Sequence, residues 1–170
     1  MAEIYQAYHL INRHIEENFR TIIQGPLYYE SIFNAARFLV NNLGNRQPNG
    51  INKVYVYYTL ATLGYKHEAY KTARVGYDML ATLKVPLQWS EEVEIEALKI
   101  RSKPYSDKED FAVICKRCMC IQPLVNLDGD RCTQCGAPTV RNFGSFDTLP
   151  LVEFIPEHGI PPIRVKELLR

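Results

Sequence analysis

The sequence predicts an α+β chain of 170 residues in which α-helical hairpins precede a small β module. Three observations predict it. Apolar residues recur at helical spacing through the first hundred positions. All five cysteines fall between Cys115 and Cys135. Between these regions, a polar stretch marks the point where helical periodicity stops and short β-like runs begin.

The helices follow in order. Residues 3–23 place Ile4, Tyr8, Ile11, Ile15 and Phe19 at steps of three or four, and Gly25-Pro26 ends that pattern. Residues 27–43 form a second helix with Ile32, Ala36, Leu39 and Leu43 on one side. After the loop 43–50, a third helix runs from about Asn52 to Leu63. A fourth runs from about Glu68 to Leu83 and stops before Pro86. A fifth begins near Ser90, read as an N-cap ahead of Glu91 and Glu92, with Val93, Ala97 and Ile100 on its apolar side.

The third and fourth helices partly fit the 34-residue tetratricopeptide pattern. Tyr57, Leu60, Ala61, Ala73, Tyr77 and Leu80 fall on its positions, Gly64 stands where a Tyr is expected, and Pro86 comes one residue late. Small residues at Ala61 and Ala73 are expected to let the two helices approach closely. The tyrosines of this half, Tyr55, Tyr57 and Tyr58 among them, cannot all face one core. They suit either a docking surface or packing with wet hydroxyl tips.

Residues 102–112 read as a polar connector. β-like runs follow at Ala112–Ile114, Thr139–Val140 and Leu149–Phe154. The expected organisation is a tetratricopeptide-like solenoid segment at 1–101, the connector, a β module with a packing tail at 113–160, and a short helix or tail at 161–170.

The chemistry lies in the cysteines. Cys115-Lys116-Arg117-Cys118 and Cys132-Thr133-Gln134-Cys135 are separated by thirteen residues. Two C-x-x-C pairs at this distance point to a tetrahedral four-thiolate site, because a two-residue knuckle aims both sulfurs at one ion about 2.3 Å away. Gly136 suits the sharp turn after the second pair, and residues 126–130 supply the turn leading into it. The pattern is that of a zinc ribbon, with Cys115, Cys118, Cys132 and Cys135 as ligands of one structural Zn2+. Four protein ligands fill the coordination sphere and leave no place for an activated water. Iron in a rubredoxin-like site would use the same pairs. Cys120 reads as a free thiol beside the site. His9, His14, His67 and His158 are scattered and expected on surfaces.

Composition bounds the function classes. A net charge of +1 gives no electrostatic drive toward nucleic acid or an anionic membrane. No apolar run is long enough for a membrane span, and the N-terminus lacks a basic-then-apolar leader, so an intracellular chain is expected. Lys116, Arg117 and Arg131 are expected to offset the thiolate charge. A zinc-ribbon nucleic-acid binder is the rival use, opposed by Asp128 and Asp130 in the same hairpin. No P-loop, dinucleotide fingerprint or redox C-x-x-C in a βαβ setting is present, so no catalytic residue and no small-molecule substrate are expected.

Several runs, taken in order, carry a family resemblance: residues 33–40 (FNAARFLV), 58–61 (YTLA), 73–80 (ARVGYDML), 100–105 (IRSKPY), the two cysteine pairs, and 151–154 (LVEF). Together they resemble the C-terminal region of a WD-repeat and tetratricopeptide subunit family of intraflagellar transport complex A. The resemblance covers about residues 30–160. It implies a non-enzymatic scaffold that works with the other subunits of complex A in retrograde ciliary transport, membrane-protein delivery and cilium assembly. It also implies localisation to the cilium, its base and the cytoplasm, and carries the metal role to the four paired cysteines. Because a solenoid end needs a cap, the ribbon and residues 143–157 are expected on the final helix, or against a partner subunit, with Leu149, Leu151 and Phe154 as anchors.

Overall fold

The computed structural model describes residues 2–17, 25–43 and 48–149. Five helices come first: α1 (Ala2–Glu17), α2 (Pro26–Leu43), α3 (Lys53–Lys66), α4 (Tyr70–Thr82) and α5 (Leu87–Arg101). A single 3-10 turn at Glu109–Phe111 leads to a two-stranded antiparallel hairpin, β1 (Val113–Ile114) and β2 (Ile121–Gln122), in which Ile114 faces Ile121. The fold is α+β, as expected. Successive helices pack on one another, and α1 also reaches α3.

The tightest contact joins α3 to α4, and small residues cause it. A Cβ placed on Gly76 would lie 2.9 Å from the Ala61 Cβ, and one on Gly64 would lie 3.2 Å from the Ala73 Cβ. Ala61 and Ala73 thus permit the close approach expected of them, each against a glycine. Gly64 replaces the aromatic of the repeat pattern because the backbone of α4 occupies that space.

Helix ends depart from the sequence reading: α3 runs on to Lys66, α4 begins at Tyr70, and the start of α5 moves furthest. α5 starts at Leu87, with Pro86 at the N-cap position (φ −56°), so Ser90 lies inside the helix. Proline presets the backbone for helix entry, which is why the helix begins ahead of the serine. α4 has no side-chain cap of its own. Asp107 supplies one from the connector: its carboxylate accepts the Thr72 backbone N–H at 2.9 Å and the Thr72 hydroxyl at 3.0 Å. Arg74 in turn donates to the carbonyls of Ile100, Lys103 and Pro104, beyond and at the end of α5. The polar character of 102–112 is therefore that of a segment hydrogen-bonded to α4.

α2 is buried all round, from Ile32 to Asn41, rather than on one side. α1 and α3 cover one side and the β module covers the other. The ribbon and its described tail thus sit on α2 and not on α5, contrary to the expected cap. The cause is legible in α2 itself: it carries buried polar residues that need partners. Arg37 Nε donates to Leu124 O at 3.1 Å, Asn41 Oδ1 accepts Asn126 N–H at 2.8 Å, and the ring of Phe38 packs on Phe146 with centroids 5.1 Å apart. α5 keeps Leu87, Ile95 and Leu98 exposed. Leu151 and Phe154 lie outside the described residues.

The tyrosines are mostly packed: Tyr57 and Tyr77 are buried, and Tyr8, Tyr28, Tyr29, Tyr55, Tyr58, Tyr65 and Tyr70 lie half-buried against the core. Two histidines also depart from the surface positions expected of them. His14 is buried between Tyr28 and Tyr29, and His67 is half-buried against Phe33 and Phe111. Neither lies near the cysteines. Thr139–Val140 forms no strand; isolated antiparallel bridges stand on either side of it, Arg131 with Pro138 and Arg141 with Thr148, and Leu149 N donates to Val140 O at 2.9 Å beside the second. No helix among the described residues is long and apolar enough to cross a membrane.

Candidate metal centre

Three loops of one design build this end of the molecule. In the first, Cys115 N–H donates to Cys120 O at 3.0 Å and Met119 N–H to Cys115 O at 2.9 Å. In the second, Cys132 N–H donates to Ala137 O at 2.8 Å and Gly136 N–H to Cys132 O at 3.0 Å. Both close a six-residue knuckle whose fifth residue takes a left-handed φ, 68° at Gly136 and 58° at Met119. Glycine adopts this conformation freely; Met119 holds it only because the hydrogen bonds on both sides fix the turn.

The knuckles bring four sulfurs together. Cys115, Cys118, Cys132 and Cys135 have Sγ atoms all within 4.8 Å of one another, with Cys115–Cys135 at 3.6 Å and Cys118–Cys132 at 3.5 Å. These separations are far beyond the ~2.05 Å of a disulfide. They match the ~3.8 Å edge of a tetrahedron built on ~2.3 Å metal–sulfur bonds. Cys120 stands outside the group; its carbonyl closes the first knuckle.

Backbone amides prepare the sulfurs. The Cys132 thiol is pulled down to about 6 by the N–H of Cys135, against burial and with help from the N–H of Gln134. Cys115 is lowered by the N–H groups of Cys118 and Arg117. Cys118 and Cys135 each receive an N–H too, from Cys120 and Ala137, but burial and the neighbouring sulfurs push both up. The backbone amides thus favour charge on the first cysteine of each pair, while burial and the crowded sulfurs oppose it on the second. A divalent cation among them removes that conflict. The donor set and its spacing therefore fit a soft, tetrahedral metal site.

Buried Gln122 ties the two knuckles: its amide donates to Cys120 O at 3.0 Å and its carbonyl accepts Thr133 N–H at 2.8 Å. The expected charge-offsetting residues do not reach the sulfurs with their side chains. Lys116, Arg117 and Arg131 are exposed, and Arg117 meets Cys115 Sγ through its backbone N–H at 3.4 Å.

The third loop was not anticipated. Asn142 N–H donates to Asp147 O at 2.8 Å, Phe146 N–H donates to Asn142 O at 2.8 Å, and Phe146 has φ 53°. Asn142 Oδ1 accepts the Gly144 N–H, as Cys115 and Cys132 sulfurs accept the amides two residues on. Residues 142–147 are a knuckle without cysteines. The amide oxygen stands where a sulfur would be, and Phe146 points into the α2 interface. The signal was the repeat of Arg131-Cys132 as Arg141-Asn142 ten residues later.

Asp130 joins the loops to the helices. Its carboxylate receives Arg141 at 2.7 and 2.9 Å, Asn41 at 2.9 Å and Asn42 at 2.9 Å. Burial opposes its ionisation, but the hydrogen bonds and charge of Arg141, with those of the two asparagines, hold it below the ordinary carboxylate range. Asp130, read from sequence as a mark against nucleic acid, is a half-buried link between ribbon and α2.

Comparison with known proteins agrees with this architecture. Residues 108–152 match the family described as IFT122, zinc ribbon domain. The chain is 39% identical over 160 residues to the intraflagellar transport protein 122 homolog of Danio rerio and 39% identical to that of Homo sapiens, covering 94% of this chain in each case. The Mus musculus homolog is 38% identical over the same length. The chain spans only 12–13% of the length of these relatives. The chain is thus similar to a C-terminal segment of intraflagellar transport protein 122 homologs, and its residues 108–152 match the zinc ribbon domain of that family.

Proposed function

We propose that Cys115, Cys118, Cys132 and Cys135 hold one structural zinc ion and that the chain is a non-enzymatic scaffold segment of an intraflagellar transport complex A subunit. The observation that carries this reading is the closed group of four sulfurs inside a zinc ribbon matched to that family. Four thiolates satisfy a zinc ion completely, so the metal serves folding and not chemistry. On this reading the solenoid segment ends at residue 101 and the connector at 112, and the metal module follows; the bounds expected at 160 and 161–170 lie outside the described residues. The helices and the ribbon share one interface along α2, which makes the module a rigid platform for neighbouring subunits of the complex.

On this reading the chain works at the cilium, its base and the cytoplasm, in retrograde transport, delivery of ciliary membrane proteins and cilium assembly. It takes no small-molecule substrate, binds no nucleic acid and inserts into no membrane. The test is replacement of the corresponding segment of the full-length protein, in ciliated cells, by a Cys132→Ser, Cys135→Ser variant. The reading predicts that complex A subunits are recovered poorly with the variant and that cargo accumulates at ciliary tips. Recovery and transport equal to wild type would refute it.

A further inference from the structure

We propose that the outer face of the β1–β2 hairpin is the docking surface for this chain's own residues 151–155, with Leu151 and Phe154 as anchors on Ile114 and Ile121. The inference needs the hairpin but not the identity of the ion that the four sulfurs hold.

The hairpin presents the wrong side chains to solvent. An antiparallel sheet with one wet face normally turns polar residues outward and apolar ones inward. Here Ile114 and Ile121, directly opposite each other across the strands, are 56% and 72% exposed. The neighbouring pair, Val113 and Gln122, takes the other face, and Gln122 is buried. A slip of one residue would turn the isoleucines inward. The knuckles forbid it: Gln122 is tied to Cys120 O and Thr133 N–H, and Cys115 N–H is bonded to Cys120 O. The sulfur site thus fixes the register and leaves an apolar pair outside. Val140 and Leu149, both partly exposed, line one groove with Ile114 and extend the patch. Apolar patches rimmed by charge mark interaction surfaces.

Three observations name the occupant. Leu149, the last described residue, shares its groove with Ile114 and Lys116 and is fixed there by its N–H bond to Val140 O. The segment that follows therefore starts at the edge of the patch. Its sequence, Pro150-Leu151-Val152-Glu153-Phe154-Ile155-Pro156-Glu157, joins large apolar residues to two carboxylates and no cation. The hairpin turn supplies the opposite charge: Lys116 and Arg117 are exposed, and neither forms an ion pair among the described residues. The exposed leucines of α5 suit this segment poorly, because Glu91, Glu92 and Glu94 stand exposed on the same helix and would repel Glu153 and Glu157. Tethering favours it over a separate molecule, since a segment joined to the patch acts at an effective concentration on the order of millimolar.

The test places a photo-crosslinking residue, p-benzoyl-phenylalanine, at Ile121 of the full 170-residue chain and, in a second preparation, at Leu98 of α5. Natural-abundance and 15N-labelled chains are mixed in equal amounts and irradiated, and the cross-linked peptides are mapped by mass spectrometry. The proposal expects the probe at Ile121 to join residues 150–157 of its own chain, with both peptides carrying the same isotope. The probe at Leu98 should reach that segment at least tenfold less. Leu151→Asp, Phe154→Asp should cut the Ile121 yield at least tenfold with metal content and circular dichroism unchanged. Glu153→Lys, which leaves the ribbon untouched, should lower it in the same direction. Cross-links between isotopes would assign the patch to a second copy and overturn the proposal. So would a higher yield from Leu98, a yield from Ile121 that these variants leave unchanged, or no cross-link to 150–157.

Discussion

At the scale of single residues, Asp130 decides how the ribbon meets the helices. It gathers a guanidinium and two amides at a site where Arg141 and Asp130 side chains are only 9% and 14% exposed. Removing one partner of such a pair leaves an uncompensated charge in a poorly solvated place, at a cost of about 3 kcal/mol. Asp130→Asn keeps the shape and should lower unfolding free energy by about that amount at pH 7. The pH dependence has a definite sign. Because Asp130 is depressed in the folded state, its contribution is complete above the unfolded carboxylate value of about 3.9 and is lost as pH falls through the folded value. Denaturant titrations at pH 7, 5 and below 4 should show a gap between wild type and variant that is constant at first and then narrows. A gap that widens on acidification would contradict this assignment.

Arg37 shows the same logic without a carboxylate. Burial first, and then repulsion from Arg141, lowers its pKa to about 10, yet Leu124 O and Asn34 Oδ1 accept from it and the Phe33 ring lies 5.7 Å beneath. Its charge is tolerated because the ribbon supplies a carbonyl exactly where α2 would otherwise leave a donor unpaired. Arg37 is thus a residue of α2 whose environment exists only when the second module is in place.

At the scale of elements, the α3–α4 pair rests on interdigitated small residues. Gly76→Ala would place a Cβ 2.9 Å from the Ala61 Cβ and 3.0 Å from its backbone nitrogen. Alanine gains up to about 1 kcal/mol over glycine in a helix, but backbone cannot yield to this contact, so a net loss of about 1–2 kcal/mol is expected. Gly64→Ala meets Ala73 at 3.2–3.3 Å and should lie near neutral. Thermal melts of the two variants give the order; equal effects would mean the helices adjust more freely than close packing allows.

The same scale shows what the sequence could and could not tell. Helix existence, the Ala61 and Ala73 contacts and the two knuckles were legible because each depends on residues near one another in the chain. The start of α5 is harder to read because Ser90 has the chemistry of an N-cap, while Pro86 presets helix entry four residues earlier. The cap on α4 was invisible because Asp107 lies 35 residues from Thr72. The third knuckle escaped because knuckles are recognised by cysteine, while its hydrogen bonds need only a side-chain acceptor at Asn142. The short strand at Ile121–Gln122 arises from knuckle geometry and not from its own β propensity.

At the scale of the whole molecule, the ribbon and the helical array share one buried interface along α2. A ribbon of this size buries too little to fold alone, so metal binding, worth on the order of 10–16 kcal/mol in small zinc peptides, would supply most of its stability. Loss of the metal should therefore do more than unfold residues 113–140. It should also expose Arg37, Asn41 and Phe38, so that amide protection falls in α2 while α3 and α4 keep theirs. Hydrogen exchange on Cys132→Ser reads this directly, and full protection of α2 in the unfolded-ribbon variant would show the two modules to be independent.

The central claim, a closed four-sulfur site that holds one zinc ion for structure, is tested most directly by elemental analysis of the purified chain. The account predicts one equivalent of zinc per chain, no iron, and loss of that zinc in Cys132→Ser. A chain that proves metal-free while its amides between 113 and 140 remain protected would contradict it.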